Sequence, residues 1–300
     1  MKRVVASEAA ASLGGLYMVE TLSETTPEIA AALEHFAITP RRIVLISPMR
    51  DRKGSRLSYR VDAEDGCITK LRQLDSAEHA RRLLQLRAGL EAAFAPALGH
   101  HGCVLLEEWI DGTPLSEPAA DARAEEAGAL LGRLHARALD VDMPTTLSTR
   151  ERRSRAISNL EILLNARQLT PREAAGLRAE IARRDPGATA AVLIHLDFCA
   201  ENMLIDGHGR LHVVDNELLS IGPAGFDLGR TFDRWPMSDA AWARFCRGYG
   251  SSAPAEPEAV GFWKIYAALL GARVRYERSP QRLDAVLRRL RRFAAGDGLG

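Results

Sequence analysis

The sequence predicts an α/β (α+β) fold in two lobes: a small lobe built on an antiparallel sheet, and a larger, mostly helical lobe. Three observations predict it. A chain of 300 residues suggests about two domains, at roughly 150 residues each. Strand-like alternation is concentrated between residues 41 and 108, around a turn at Asp65-Gly66. From about residue 119 apolar residues recur at helical spacing, and one hairpin after residue 202 interrupts them.

Residues 1–40 are rich in Ala and Glu and read as short helices packed on the first lobe, with Leu22, Ile29, Leu33 and Phe36 as core contacts. Thr39-Pro40 ends that section. Arg42 to Ile46 is the first strand, and a polar loop from Ser47 to Ser55 follows. Leu57 to Val61 alternates in strand fashion, and Cys67 to Leu71 is its partner across the Asp65-Gly66 turn. The next helix runs from near Asp75-Ser76 to about Ala93, carrying Leu83, Leu84, Leu86 and Leu90. Asp75 and Glu78 have the spacing of a capping box. Cys103 to Gly112 begins as an apolar strand and ends at a glycine.

Helices are expected at about 119–139, 154–167 and 171–184. Thr170-Pro171-Arg172-Glu173 is a helix start, with a Thr cap, Pro at the first position and Glu at the third. Near the end, helices at about 239–248, 257–277 and 280–294 bury Trp263, Tyr266, Ala267 and Leu270, then Leu283, Val286, Leu287 and Leu290.

The stretch that carries chemistry is Ile194-His195-Leu196-Asp197-Phe198-Cys199-Ala200-Glu201-Asn202. An apolar run, Met203-Leu204-Ile205, follows it. Asp206-Gly207-His208-Gly209 turns the chain, and Leu211 to Val214 ends on Asp215. This reads as a loop feeding a hairpin, with Asn202 and Asp215 as neighbours and Asp197 close by. Two hard oxygen ligands beside a spare carboxylate suit a Mg²⁺-nucleotide. His208 and His212 flank the turn and are expected to be solvated. Cys199 has no base paired with it in sequence, so a nucleophilic role is not expected.

The pattern resembles a kinase catalytic loop, H-x-D-x-x-x-x-N, followed by a metal-binding Asp. It is most similar to the aminoglycoside phosphotransferase and choline kinase family, the small-molecule branch of the kinase-like fold. That family reads H-G-D-x-x-x-x-N, then I-D-W/F-E, then G-D-P-x-x-D-L-A. The matching residues are His195-Leu196-Asp197 with Asn202, then Val214-Asp215-Asn216-Glu217, then Gly222-Pro223-Ala224-Gly225-Phe226-Asp227-Leu228-Gly229. One departure is Leu196, where the family usually has Gly; Gly reaches torsions that Leu avoids. The other is a shortened G-x-P block that keeps Asp227.

The resemblance implies a two-lobed kinase-like architecture. Residues 1–40 would pack on a nucleotide-binding small lobe at 41–108. A hinge at 109–112 would lead to a helical catalytic and acceptor-binding lobe at 113–300. Gly54, Ser55 and Ser58 would meet the phosphates, and Lys70 would grip the α/β-phosphates with Glu78 as its carboxylate partner; Glu91 is the second candidate. The Glu108 carbonyl and Ile110 N–H would bond adenine. Asn202 and Asp215 would hold Mg²⁺, Asp197 would serve the attacking hydroxyl, His195 would orient the loop, and Asp227 would brace it. His135, in Leu131-Gly132-Arg133-Leu134-His135, is expected to be packed rather than catalytic. The implied activity is transfer of the γ-phosphate of Mg-ATP to a hydroxyl of a small molecule, with GTP as an alternative donor. Its rivals are a nucleotide-binding protein without transfer, and a protein kinase. The chain lacks D-F-G and A-P-E segments, which disfavours the latter.

Charge narrows the partners. Forty basic residues against thirty-nine acidic ones give +1, no reason to expect nucleic acid. Residues 231–300 hold twelve Lys/Arg against seven Asp/Glu, which favours a neutral, zwitterionic or anionic acceptor over a polycation. No apolar run approaches the ~18 residues of a membrane span, and the start lacks the apolar core of a signal peptide. Four scattered cysteines without C-x-x-C fit reduced thiols in a cytoplasmic protein, and a monomer or dimer is expected.

Overall fold

The computed structural model describes residues 25–46, 57–91, 94–115, 119–139, 149–253 and 260–298. In chain order the first elements are α1 (Pro27–His35), β1 (Pro40–Leu45), β2 (Ser58–Ala63), β3 (Ile68–Gln73), α2 (Ala77–Arg87), β4 (Ala97–His101), β5 (Val104–Glu108) and β6 (Gly112–Pro114). Then come α3 (Ala119–Ala122), α4 (Ala124–Ala136), α5 (Thr149–Asn165), α6 (Pro171–Arg183), β7 (Ala191–Ile194), β8 (Met203–Asp206), β9 (Leu211–Val213) and β10 (Ser220–Pro223). The last four are α7 (Ala224–Arg234), α8 (Asp239–Gly250), α9 (Val260–Arg278) and α10 (Leu283–Ala294). The mixed fold expected from the sequence is present. Two compact units divide the chain: the described residues of 1–114 with Met203–Glu217, and those of Leu115–Asn202 with Leu218–Gly300.

The first unit holds a five-stranded antiparallel sheet in the order β1-β2-β3-β5-β4. Strand alternation separates its two faces. Tyr59 pairs with Leu71 and Leu71 with Leu106, so these share one face. Ile29, Ala32 and Leu33 of α1 complete that core with Ile43, Val61 and Val104. Thr26 caps α1, with its hydroxyl oxygen accepting from Ile29 N–H, and Pro27 opens the first turn. Arg60, Lys70 and Glu107 lie side by side on the opposite face. A second sheet, β6-β8-β9, carries the hairpin after Asn202, with Met203 opposite Val213. A Cβ on Gly112 would stand 2.7 Å from the Ile205 carbonyl oxygen, so this strand pairing requires glycine there.

Several local expectations change. β4 was not foreseen. The helix after β3 ends at Arg87 rather than near Ala93, and its N-cap is Ser76, not Asp75; the Ser76 hydroxyl accepts from His79 N–H at 3.1 Å. His212 is buried, not solvated, and its Nε2 lies 2.9 Å from Asp206 Oδ2. Leu22 and the Ser47–Ser55 loop lie outside the described residues.

The second unit is helical around one short antiparallel pair, β7 with β10. Its core joins Leu160, Leu163 and Ile181 to Trp263, Tyr266 and Leu269, and to Leu283, Val286, Leu287 and Leu290 of α10. The capping box at α6 forms as expected: Thr170 Oγ1 accepts from Glu173 N–H, and Glu173 Oε2 from Thr170 N–H. The helix α7 was not foreseen as an element. Among the described residues no helix is long and apolar enough to cross a membrane.

Candidate active site

In the first unit the charged sheet face opens into a cleft of about 580 Å³, counting its open mouth. Lys70, Glu107, Glu108, Ile110 and Asp215 line it, with Trp109 beside them. Strand β3 delivers Lys70, and Arg72 follows two residues later on the same face. Lys70 Nζ lies 3.7 Å from Asp215 Oδ1, and Arg72 Nη2 lies 3.3 Å from the same oxygen. Arg72 also donates from Nη1 to Glu217 Oε2 at 2.6 Å and from Nε to Glu107 Oε2 at 3.1 Å. Arg87 of α2 donates to the other Glu107 oxygen. Three cations thus meet three carboxylates. Asp215 has φ +58°, a left-handed torsion that Asp tolerates better than most residues.

Burial shapes these charges. For Glu107 burial works to raise its pKa, but Arg72, Arg87 and Lys70 outweigh it and hold the carboxyl well below its usual range. For Lys70 burial is the largest influence and Arg72 adds to it; both lower its pKa, against Glu107, Asp215 and Glu217. Burial also pushes Asp215 up, and Lys70 with Arg72 overrides it, so the carboxyl stays ionised at neutral pH.

Glu78 does not fill the role expected of it. Its side chain is 70% exposed on the first turn of α2 and pairs with Arg81. The carboxylate within ion-pair distance of Lys70 is Asp215, at 3.7 Å, and Glu107 lies directly opposite Lys70 on β5, bound to Arg72 and Arg87. Ser58 is buried in β2 and is not among the residues lining the cleft. Gly54 and Ser55 lie outside the described residues.

In the second unit, Asp227 near the start of α7 is fully buried and organises the loop after β7. Its Oδ2 accepts from His195 N–H at 2.6 Å and its Oδ1 from Leu196 N–H at 2.8 Å. His135 Nε2 lies 3.2 Å from Oδ2, and its Nδ1 lies 2.9 Å from the Tyr249 hydroxyl. A carboxylate that accepts from Nε2 fixes the tautomer, leaving Nδ1 to accept from Tyr249. Burial pushes Asp227 up, but His135 and the His195 N–H hold its pKa below the ordinary value. Thr231, one turn on, donates its hydroxyl to the Phe198 carbonyl. Leu196 takes φ +70°, so the loop keeps a glycine-type backbone with leucine in it.

The buried His195 accepts from Asp197 N–H at its Nδ1, 3.3 Å away. Asn202 donates from Nδ2 to the Asp197 carbonyl at 2.8 Å and to Asp197 Oδ2 at 3.2 Å. Asp197 Oδ1 meets two guanidinium groups, from Arg230 at 3.2 Å and Arg234 at 3.1 Å. The sequence reading missed both arginines. Their signal was spacing: Asp227, Arg230, Thr231 and Arg234 recur at helical intervals along one face. It missed Arg72 as well, although alternation from Lys70 places it on the same face. Cys199 is buried, and desolvation pushes its thiol up to about 11, as suits a structural cysteine.

No curated protein sequence matches the chain. Solved structures do. Choline kinase LicA from Streptococcus pneumoniae superimposes with a TM-score of 0.65 at 14% identity, covering 88% of this chain and 97% of that one. Macrolide 2'-phosphotransferase MphH from Brachybacterium faecium gives 0.60 at 15% identity, covering 90% and 96%. Spectinomycin phosphotransferase APH(9)-Ia, in complex with ADP and spectinomycin, gives 0.59 at 12% identity, covering 86% and 94%. At such identities the likeness shows the fold. The sequence profile of the phosphotransferase enzyme family matches residues 53–263, more than half of the chain, and the chain belongs to that family.

Proposed function

We propose that this enzyme transfers the γ-phosphoryl group of Mg-ATP to a hydroxyl of a small molecule. The observation that carries the reading is the cleft of the first unit, where Lys70 and Asp215 share a wall with the Glu108–Ile110 segment. Lys70 neutralises phosphate charge, and the carboxylate of Glu107, fixed by Arg72 and Arg87, favours its charged form. The Glu108 carbonyl and Ile110 N–H receive the base. The spectinomycin phosphotransferase structure contains ADP and a LicA structure contains AMP, which supports an adenine nucleotide, with GTP the alternative. Gly54 and Ser55 are assigned to the phosphates on family resemblance alone.

Asn202 and Asp215 are the proposed ligands of Mg²⁺. Their chemistry fits: Asn202 spends its Nδ2 on Asp197 and keeps its amide oxygen as a donor, and Asp215 is an ionised carboxylate. Mg²⁺ takes only one or two protein carboxylates beside phosphate oxygens, so a dedicated cage is not needed, and the described residues form none. When bound, it neutralises charge on the transferring phosphate. Asp197 orients the attacking hydroxyl and accepts its proton. Asp227, Thr231 and His195 fix the loop that presents it. Four free cysteines fit a cytoplasmic enzyme.

The test is ATP consumption by the purified protein against amino alcohols, aminoglycosides, nucleosides, sugars and hydroxy acids. Asp197→Ala is expected to lose nearly all turnover while still binding Mg-ATP. Near-wild-type turnover in that variant would remove Asp197 from the reaction.

A further inference from the structure

The surroundings of Asp197 carry information about the acceptor. Arg230 and Arg234 sit four residues apart on α7 and converge on one oxygen, Asp197 Oδ1. The other oxygen already accepts from Asn202. Oδ1 of the proposed proton acceptor thus holds two cationic partners before any substrate arrives, and one of the two acceptor sites on Oδ2 is taken. Arg230 is further steadied by the Leu196 carbonyl, 3.4 Å from its Nε. The second partner of Arg234 is Glu201, at 2.9 Å, whose side chain is 75% exposed. An exposed ion pair of that kind holds weakly. Among the described residues, only this weak pair and a 3.8 Å contact to Cys199 Sγ hold the Nη2 edge of the Arg234 fork, and Arg230 lies beside it, 17% exposed.

An acceptor decides whether this arrangement helps or hinders. In the transfer, the acceptor oxygen forms a bond to the γ-phosphorus and the bond to the β,γ-bridging oxygen breaks. ADP leaves with that electron pair, and the hydroxyl proton passes to Asp197. A cationic acceptor would bring its charge against two guanidinium groups at the place where its hydroxyl must sit. A neutral one would leave Oδ1 occupied. An acceptor with its own anionic group would give the guanidinium groups a new partner and release Oδ1 to the hydroxyl. Planar guanidinium forks match carboxylate and phosphate oxygens.

We propose that Arg230 and Arg234 form an anion subsite, and that the acceptor is an alcohol carrying a carboxylate or phosphate close to the hydroxyl. This rests on the reading of Asp197 as the transfer residue. The basic balance of residues 231–300, twelve Lys/Arg against seven Asp/Glu, acts in the same direction over a longer range.

The experiment measures Mg-ATP turnover by the full chain against four panels: hydroxycarboxylates, sugar phosphates, neutral polyols, and amino alcohols with aminoglycosides. Turnover is expected only in the first two, and which of them responds identifies the anion. With the responding acceptor, Arg230→Gln and Arg234→Gln should each raise KM at least tenfold with a smaller fall in kcat and an unchanged Kd for Mg-ATP. Arg234→Lys, which keeps the charge and loses the fork, should fall between Arg234→Gln and wild type. Melting curves identify any variant that fails to fold, and Arg234→Lys then carries the comparison. Asp197-dependent turnover of a cationic or neutral acceptor overturns the subsite and leaves the transfer reading standing. So does an anionic acceptor whose KM ignores both arginines. Silence across all four panels, with Mg-ATP still bound, overturns the transfer reading and the subsite with it.

Discussion

The residue with the most consequence for its size is Asp227. One buried carboxylate satisfies two backbone N–H groups of the loop at His195 and Leu196 and fixes the tautomer of His135. Removing one partner from such a set costs about 3–5 kcal/mol. Asp227→Asn is expected to lose stability on that order at pH 7, read from denaturant midpoints. Its pKa is lowered on folding, so its contribution is fully present above the unfolded carboxylate value, about 3.9. That contribution is lost as pH falls through the folded value. The gap between wild type and variant should therefore narrow on acidification; a constant gap down to pH 2 would show that the charge is not what stabilises the loop. Leu196 makes a second test. A non-glycine residue at φ +70° costs roughly 1–2 kcal/mol. Its half-buried packing returns roughly 1 kcal/mol. Leu196→Gly should then sit within about 1 kcal/mol of wild type, while Leu196→Val, β-branched at positive φ, should be clearly worse. Equal stability of all three would mean the torsion is not strained.

At the scale of elements, local chemistry and long-range contact separate cleanly. The α6 start was legible because its capping box is written in four consecutive residues, and the structure forms both bonds. Thr170→Ala should cost about 1 kcal/mol in thermal or chemical unfolding. The strand β6 is the opposite case. Gly112 was legible as the end of an apolar strand, but nothing local says that Gly112–Pro114 pairs with β8. The 2.7 Å separation from the Ile205 carbonyl makes Gly112→Ala disruptive. Overpacking of this kind costs about 1–3 kcal/mol. A melting temperature unchanged by that substitution would show that the two strands separate readily. The same contrast explains β4: its sequence, Ala97-Leu98-Gly99-His100-His101, lacks a buried face of its own and is drawn into the sheet by pairing with β5.

For the whole molecule, nucleotide binding offers the broadest readout. A ligand that binds only the folded state at a hundred times its Kd adds about 2.7 kcal/mol of stability. Mg-ATP should raise the melting temperature accordingly. Asp215→Asn should reduce that rise and its dependence on magnesium, because a charged oxygen ligand is lost. Equal shifts in both proteins, with and without magnesium, would sink the metal assignment.

The sequence by itself determined the fold class, the family, and the order of the chemical residues along the chain. Strand alternation, helix caps and the motif series from His195 to Asp227 are local patterns, and local patterns survive in one dimension. What only the tertiary structure decided is which charges meet. Glu78 had the right distance in sequence from Lys70, but it lies on an exposed helix turn with Arg81 three residues away, so solvent and a local partner claim it. Glu107 lies thirty-five positions from Arg72 and pairs with it because the register of β3 on β5 brings that carboxylate onto the same sheet face, opposite Lys70. Arg230 and Arg234 find Asp197 through the packing of α7 beneath the loop that Asp227 pins. Such pairings depend on register and packing, set by the buried core as a whole, and no short window of residues encodes them.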